Sequence, residues 1–147
     1  MDERATDSSV WNDGLVHDLV ARPLGGKTLA AEPSDLVIGE WTDEGGASSA
    51  ESPIAPPHVH HSDDEAWYVL EGRLGFLLGT ETVEAGPGSA VLAPRGVTHT
   101  FWNASGGKTR YLIVMTRNIQ RLIDELHATG FANVAETFGK YDSELVG

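Results

Sequence analysis

Between residues 35 and 116 the chain is cut into short apolar runs by turn-forming residues, at intervals too close for helices of ordinary length. DLVIGEW (35–41), EAWYVL (65–70), RLGFLL (73–78), ETVEA (81–85), SAVLA (89–93), THTFWN (98–103) and RYLIVM (110–115) have the length and composition of strands. EG at 71–72, LGTE at 78–81, GPG at 86–88 and PRG at 94–96 supply the residues that tight turns need. Such a succession predicts an all-β sandwich or barrel. At 147 residues the chain fits one domain that buries a core without staples.

The pattern changes only near the end. In NIQRLIDELHATG (118–130), Ile119, Leu122, Ile123 and Leu126 recur at helical spacing, with Asn118 placed to cap the start and Gly130 just past the end. One amphipathic helix is expected there, lying on the sheet or at a subunit contact. The expected organisation is a flexible N-terminal arm over 1–14, a barrel over 15–116, and a C-terminal helix and tail over 117–147. The arm is acidic and lacks the apolar core of a secretory signal. TDEGGASSAESPIAPP (42–57) reads as a long surface loop or an ordered entry to a site.

Charge and composition narrow the function. The formal net charge is −12, and the ten Lys and Arg residues form no cluster, which disfavours nucleic acid and anionic membrane as partners. No run approaches the roughly 20 apolar residues of a membrane span. Absence of cysteine removes disulfides, thiolate metal sites and thiol nucleophiles together, and fits a cytoplasmic location.

The chemistry-bearing residues gather in two segments. In HVHHSDDEAWYVLEG (58–72), strand alternation puts His58 and His60 on one face and His61 on the other. Two imidazoles two residues apart can reach one ion, and Glu65, opening the next strand, can point back toward it. Imidazole with carboxylate suits Zn, Fe, Mn, Ni or Cu better than Ca or Mg. In GPGSAVLAPRGVTHTFWN (86–103), His99 follows a Pro-Arg-Gly turn at the start of an aromatic strand. By parity Trp67 and Val69 share Glu65's face and Phe101 shares His99's, so these three are candidate pocket walls as well as candidate core. Trp102 and Tyr68 point the other way, under the helix or at a dimer interface. His17, His61 and His127 read as ordinary surface or packing residues.

Together the two segments resemble the cupin superfamily. Its first motif, G-x5-H-x-H-x3/4-E-x6-G, is matched by His58, His60, Glu65 and Gly72, with Ser52 standing where the opening glycine would fall. Its second, G-x5-P-x-G-x2-H-x3-N, is matched by Gly88, Pro94, Gly96, His99 and Asn103. The resemblance implies a double-stranded β-helix, a jelly-roll barrel. It also implies one divalent transition-metal ion held by His58, His60, Glu65 and His99, with about two coordination positions open to a small-molecule substrate. The quercetin-dioxygenase-like branch suggests a dioxygenase acting on a phenolic or diketone-type compound, with Glu65 doubling as general base. A metal-dependent isomerase or polyketide cyclase would use the same site, and a non-catalytic binding module is the alternative from another class. A homodimer is expected by the same analogy.

Overall fold

Two five-stranded antiparallel sheets face each other across an apolar interior in the computed structural model, which describes residues 16–146. The arm expected over 1–14 lies outside the described residues. In chain order the strands are β1 (Thr28–Leu29), β2 (Leu36–Asp43), β3 (His58–His60), β4 (Glu65–Glu71), β5 (Leu74–Leu78), β6 (Glu81–Ala85), β7 (Ala90–Ala93), β8 (His99–Asn103), β9 (Thr109–Thr116) and β10 (Ser143–Leu145). The first sheet runs β1-β2-β9-β4-β7 and the second β10-β3-β8-β5-β6. This is the jelly-roll arrangement that the resemblance implied, and it falls within the sandwich or barrel class that the strand pattern predicted. No helix among the described residues is long and apolar enough to cross a membrane.

Strand β9 shows why the sheets close on one another. Thr109, Tyr111, Ile113 and Met115 are buried, while Arg110, Leu112, Val114 and Thr116 are only partly so. The period of two turns one face inward. Beside it in the same sheet, Trp67 and Val69 of β4 meet Leu74 and Phe76 of β5, from the facing sheet, in a single apolar cluster. Burying each such side chain contributes roughly 1.5–3 kcal/mol, and this burial is the main term opposing chain entropy.

Two positions explain glycines that carry no chemistry. Gly72 adopts φ 82°, and a Cβ there would run into the Thr109 hydroxyl and the backbone beside it. The same hydroxyl donates to Asn103 Oδ1 at 2.9 Å, and Asn103 Nδ2 donates to Gly107 O at 2.7 Å. Gly72 and Asn103 therefore lock the turn between β8 and β9 against the end of β4. Gly75 leaves room for the Trp102 indole, which lies flat on the outer side of the second sheet. Trp102 is thus buried over its own sheet, and Tyr68 is 42% exposed on the outer side of the first.

The C-terminal region holds more structure than its sequence pattern suggested. Helix α1 (Arg117–Thr129) is followed by a second helix, α2 (Val134–Lys140), and then by β10, which pairs with β3. The helix start also differs: Thr116 is the N-cap, its hydroxyl accepting from Ile119 N at 3.2 Å, while Gly130 at φ 63° ends the helix as expected. Asn118 serves elsewhere. Its Nδ2 donates to Asp63 Oδ2 and to Tyr141 O, both at 2.8 Å, and Thr116 Oγ1 donates to Asp63 Oδ1 at 2.8 Å. One buried carboxylate thereby joins the β3–β4 turn, the helix start and the chain entering β10.

On the solvent side, Arg95 grips Asp64 through its guanidinium, and Gly96 N donates to His60 O at 2.8 Å. These bonds press the β7–β8 turn onto the β3–β4 turn. Removing the buried carboxylate by Asp63→Ala strands two donors. It should lower unfolding free energy by about 2–3 kcal/mol, measured by urea titration, whereas the exposed Asp64→Ala should change it far less.

Candidate metal centre

Strand pairing alone brings three histidines together. His58 of β3 stands directly opposite His99 of β8 in the register of the second sheet, and His60 lies two residues along on the same face. Glu65 opens β4 in the facing sheet and reaches across the interior. One ligand atom from each of the four lies within 4.8 Å of the others. All four are buried, none more than 7% exposed. The sequence grouped these residues, and the fold gathers them at one point.

The outer nitrogens settle which atoms face inward. His58 Nδ1 donates to Pro56 O at 2.7 Å and His99 Nδ1 to Val97 O at 3.0 Å; a carbonyl only accepts, so both Nδ1 atoms carry the proton. His60 Nδ1 meets Ser143 Oγ at 2.7 Å, and Ser143 gives its own hydrogen to Tyr141 O at 3.1 Å. Ser143 Oγ therefore accepts from His60. In the neutral rings every remaining lone pair sits on Nε2. Two of those atoms face Glu65 Oε1, at 3.4 Å from His60 and 3.2 Å from His99.

Lone pairs directed at a carboxylate repel unless a cation lies between them. Three neutral imidazoles and one carboxylate are the donor set of a divalent transition metal, so the residues fit such an ion. The outer hydrogen bonds on Nδ1 are the kind that orient metal-binding histidines and raise their basicity. Which metal binds is not encoded in this donor set, since it suits several.

Protonation follows the same geometry. Burial, then the neighbouring His99 and His60, pull the His58 imidazole down to about 4, so it stays neutral over the working pH range. Burial pushes the Glu65 carboxyl up, but the facing His60 and His99 outweigh it and hold the group at about 2. Glu65 is therefore ionised and ready to ligate.

A cavity of about 110 Å³ opens from this cluster. Trp67 and Phe101 line it as parity suggested. Val69 does not: it is fully buried in the core beside its register partner Tyr111, because parity fixes a face but not a depth. The opposite side of the cavity comes from α1 and α2, through Ile119, Leu122, Leu126 and Phe138. The helix walls the cavity while packing against β2 and β9 of the first sheet.

Several contributors escaped the sequence reading. Phe138 packs its ring edge-on against His58 with centroids 5.0 Å apart, and Ser143 fixes His60. The signal for Phe138 was the spacing of Val134, Phe138 and Tyr141, helical but brief. His127, read as an ordinary surface or packing residue, is exposed and also lines the cavity, its ring 6.1 Å from Trp41 and 6.2 Å from Phe131.

Comparison with known proteins agrees with this architecture. The family model of the cupin domain matches residues 41–115. An uncharacterized protein of Streptomyces coelicolor is 30% identical over 71 residues, which is 48% of this chain and 61% of that protein. Among solved structures, the polyketide cyclase RemF of Streptomyces resistomycificus is 33% identical with a TM-score of 0.49, covering 61% of this chain and 62% of that one. A sugar phosphate isomerase from a cupin superfamily, of Silicibacter pomeroyi, is 26% identical with a TM-score of 0.48, covering 57% and 52%. The chain thus spans less than two thirds of each of these proteins.

Purified protein should carry about one transition-metal ion per chain by elemental analysis, and His58→Ala or His99→Ala should remove most of it. Ser143→Ala keeps all four ligands but frees His60 to turn, and should weaken metal binding by roughly 10–100-fold in a competition titration. In metal-free protein the depressed His58 value has a definite sign. The unfolded imidazole takes a proton near 6.5 and the folded one near 4, so stability present at pH 7 is lost as pH falls through that window. Urea unfolding at pH 7 and pH 4 should lose about 3 kcal/mol more in wild type than in His58→Asn.

Proposed function

The chain belongs to the cupin family, and from that premise we propose that it is a metal-dependent enzyme of dioxygenase-like type acting on a small oxygenated organic molecule, phenolic or diketone in character. The observation that carries the proposal is the placement of four converging ligands at the base of a cavity otherwise walled by aromatic and aliphatic side chains. A bound divalent ion would supply Lewis acidity and, if redox-active, a route to oxygen chemistry. His58, His60, Glu65 and His99 would hold it.

The chain's own contribution is orientation, dryness and proton handling. With substrate filling the cavity, Trp67, Phe101 and the α1 side chains would shield the ligand cluster from water, which strengthens every electrostatic interaction inside it. Glu65 is the carboxylate on the cavity wall and the base in this reading. Its natural partner is a proton that is already acidic, such as that of a phenol or an enolisable diketone.

Screening phenols and diketones against protein loaded in turn with Fe, Mn, Ni, Zn and Cu, with an oxygen electrode and product analysis, tests the reading. Oxygen uptake matched to substrate loss is expected. Glu65→Gln should reduce that turnover by about 10²-fold or more. Conversion without oxygen uptake would instead indicate isomerase or cyclase chemistry at the same residues, and no conversion with any metal would leave a binding protein.

A further inference from the structure

The opening of the cavity is held firmly on one side and by an unfavourable backbone on the other. Of the described residues that line the cavity, three are exposed: Ile54, His127 and Phe131. The others are buried or half-buried, so these three mark where the cavity meets solvent. Ile54 belongs to the loop after β2 and is pinned to β8. Its N–H donates to Phe101 O at 2.9 Å, and the Thr100 hydroxyl donates to the neighbouring Ala55 O. Phe131 stands instead in the short turn between α1 and α2, its ring 6.2 Å from that of His127.

That turn has more left-handed backbone than its helix end requires. Gly130 at φ 63° caps α1, and Phe131 N–H donates to Leu126 O at 3.1 Å. Such a cap needs one left-handed residue, yet Phe131 follows at φ 68° and Asn133 at φ 54°. A β-carbon disfavours this region, and on a bulky side chain it is an outlier. Phe131 is 39% exposed, so burial offsets that conformation only in part. Backbone of this kind gathers at ligand clamps and switch segments. Both helices are fixed beside the turn: Leu126 and Phe138 are buried, and Lys140 Nζ and the Tyr141 hydroxyl bond Glu125 at 2.7 and 2.8 Å. Rearrangement is thereby confined to residues 130–133, and a return of Phe131 to negative φ relieves the backbone and moves the ring.

We infer that Phe131 gates the cavity. With Ile54 on the fixed side of the opening, its ring sets the largest cross-section of molecule that reaches the ligand cluster, and relaxation of the 130–133 turn admits anything wider. Phe131 is then a specificity-determining residue that selects by size, before any contact with the cluster. The inference concerns the cavity and its opening, so it stands or falls independently of the metal-dependent reading of the site.

A single thiol placed inside the cavity tests this, because the chain has no cysteine of its own. Leu122→Cys and Ile119→Cys put reporters on the buried wall, and Val37→Cys puts one in the core away from the cavity. N-methylmaleimide and N-cyclohexylmaleimide share one reactive group and differ in bulk; rates are divided by those for free glutathione. At both wall positions the small reagent should react about tenfold or more faster than the large one, and Phe131→Ala should shrink that ratio to about threefold or less. Val37→Cys should stay slow to both reagents with or without Phe131→Ala. A ratio unchanged by Phe131→Ala, no size discrimination at the start, or wall thiols that react with neither reagent would overturn the inference. So would a Val37→Cys thiol that becomes reactive together with the wall thiols, since Phe131 would then hold the fold and not the opening.

Discussion

Four electron-pair donors pointed at one spot are mutually repulsive, and the rest of this molecule is arranged to keep them there. His58, His60 and His99 each have the outer ring nitrogen tied down, two by backbone carbonyls and one by Ser143, so the neutral rings cannot switch tautomer, moving the proton to the inner nitrogen, without breaking those bonds. Glu65 comes from the opposite sheet, so the cluster is also a bridge between the two layers. Such an arrangement costs desolvation energy in proportion to its burial, and a cation at the centre offsets that cost.

The barrel supplies this geometry from ordinary strand pairing, and the C-terminal segment completes it. Register places His58 against His99, and the turn containing Arg95 is clamped by Asp64 onto the turn that leads into Glu65. After α1 walls the cavity, the chain turns through α2 and returns as β10 to pair with β3, delivering Phe138 against His58 and Ser143 against His60. The last residues of the fold thus control the first ligands of the site. Asp63 joins the same three elements, so stability of the C-terminal segment and order at the site are physically linked.

How much of this could be read in the sequence depends on how local each signal is. The seven apolar runs between 35 and 116 each overlap a strand, because alternation and turn chemistry are properties of adjacent residues. The pairing of His58 and His60 followed from parity, whereas His99 required the spacing of a whole motif, since nothing beside it marks a ligand. Asn118 was a plausible cap by type, yet the backbone starts its helix two residues earlier and Thr116 takes the role, which leaves Asn118 for Asp63. Val69 shared the right face at the wrong depth. Strand β10, at three residues, is too short for any periodicity to show, and Ser143 has no local mark of its partnership with a residue 83 positions away. Trp41 was recognisable as part of a strand, but its place beside His127 exists only once α1 folds over the barrel.

The central claim is that three imidazoles and one carboxylate share a single ion inside the shell. X-ray absorption spectroscopy on protein reconstituted with one equivalent of zinc tests it most directly, because imidazole rings leave a characteristic multiple-scattering pattern that can be counted. The geometry predicts three imidazoles and a carboxylate oxygen around each zinc. A spectrum with one imidazole or none, unchanged by replacement of His99, would contradict it.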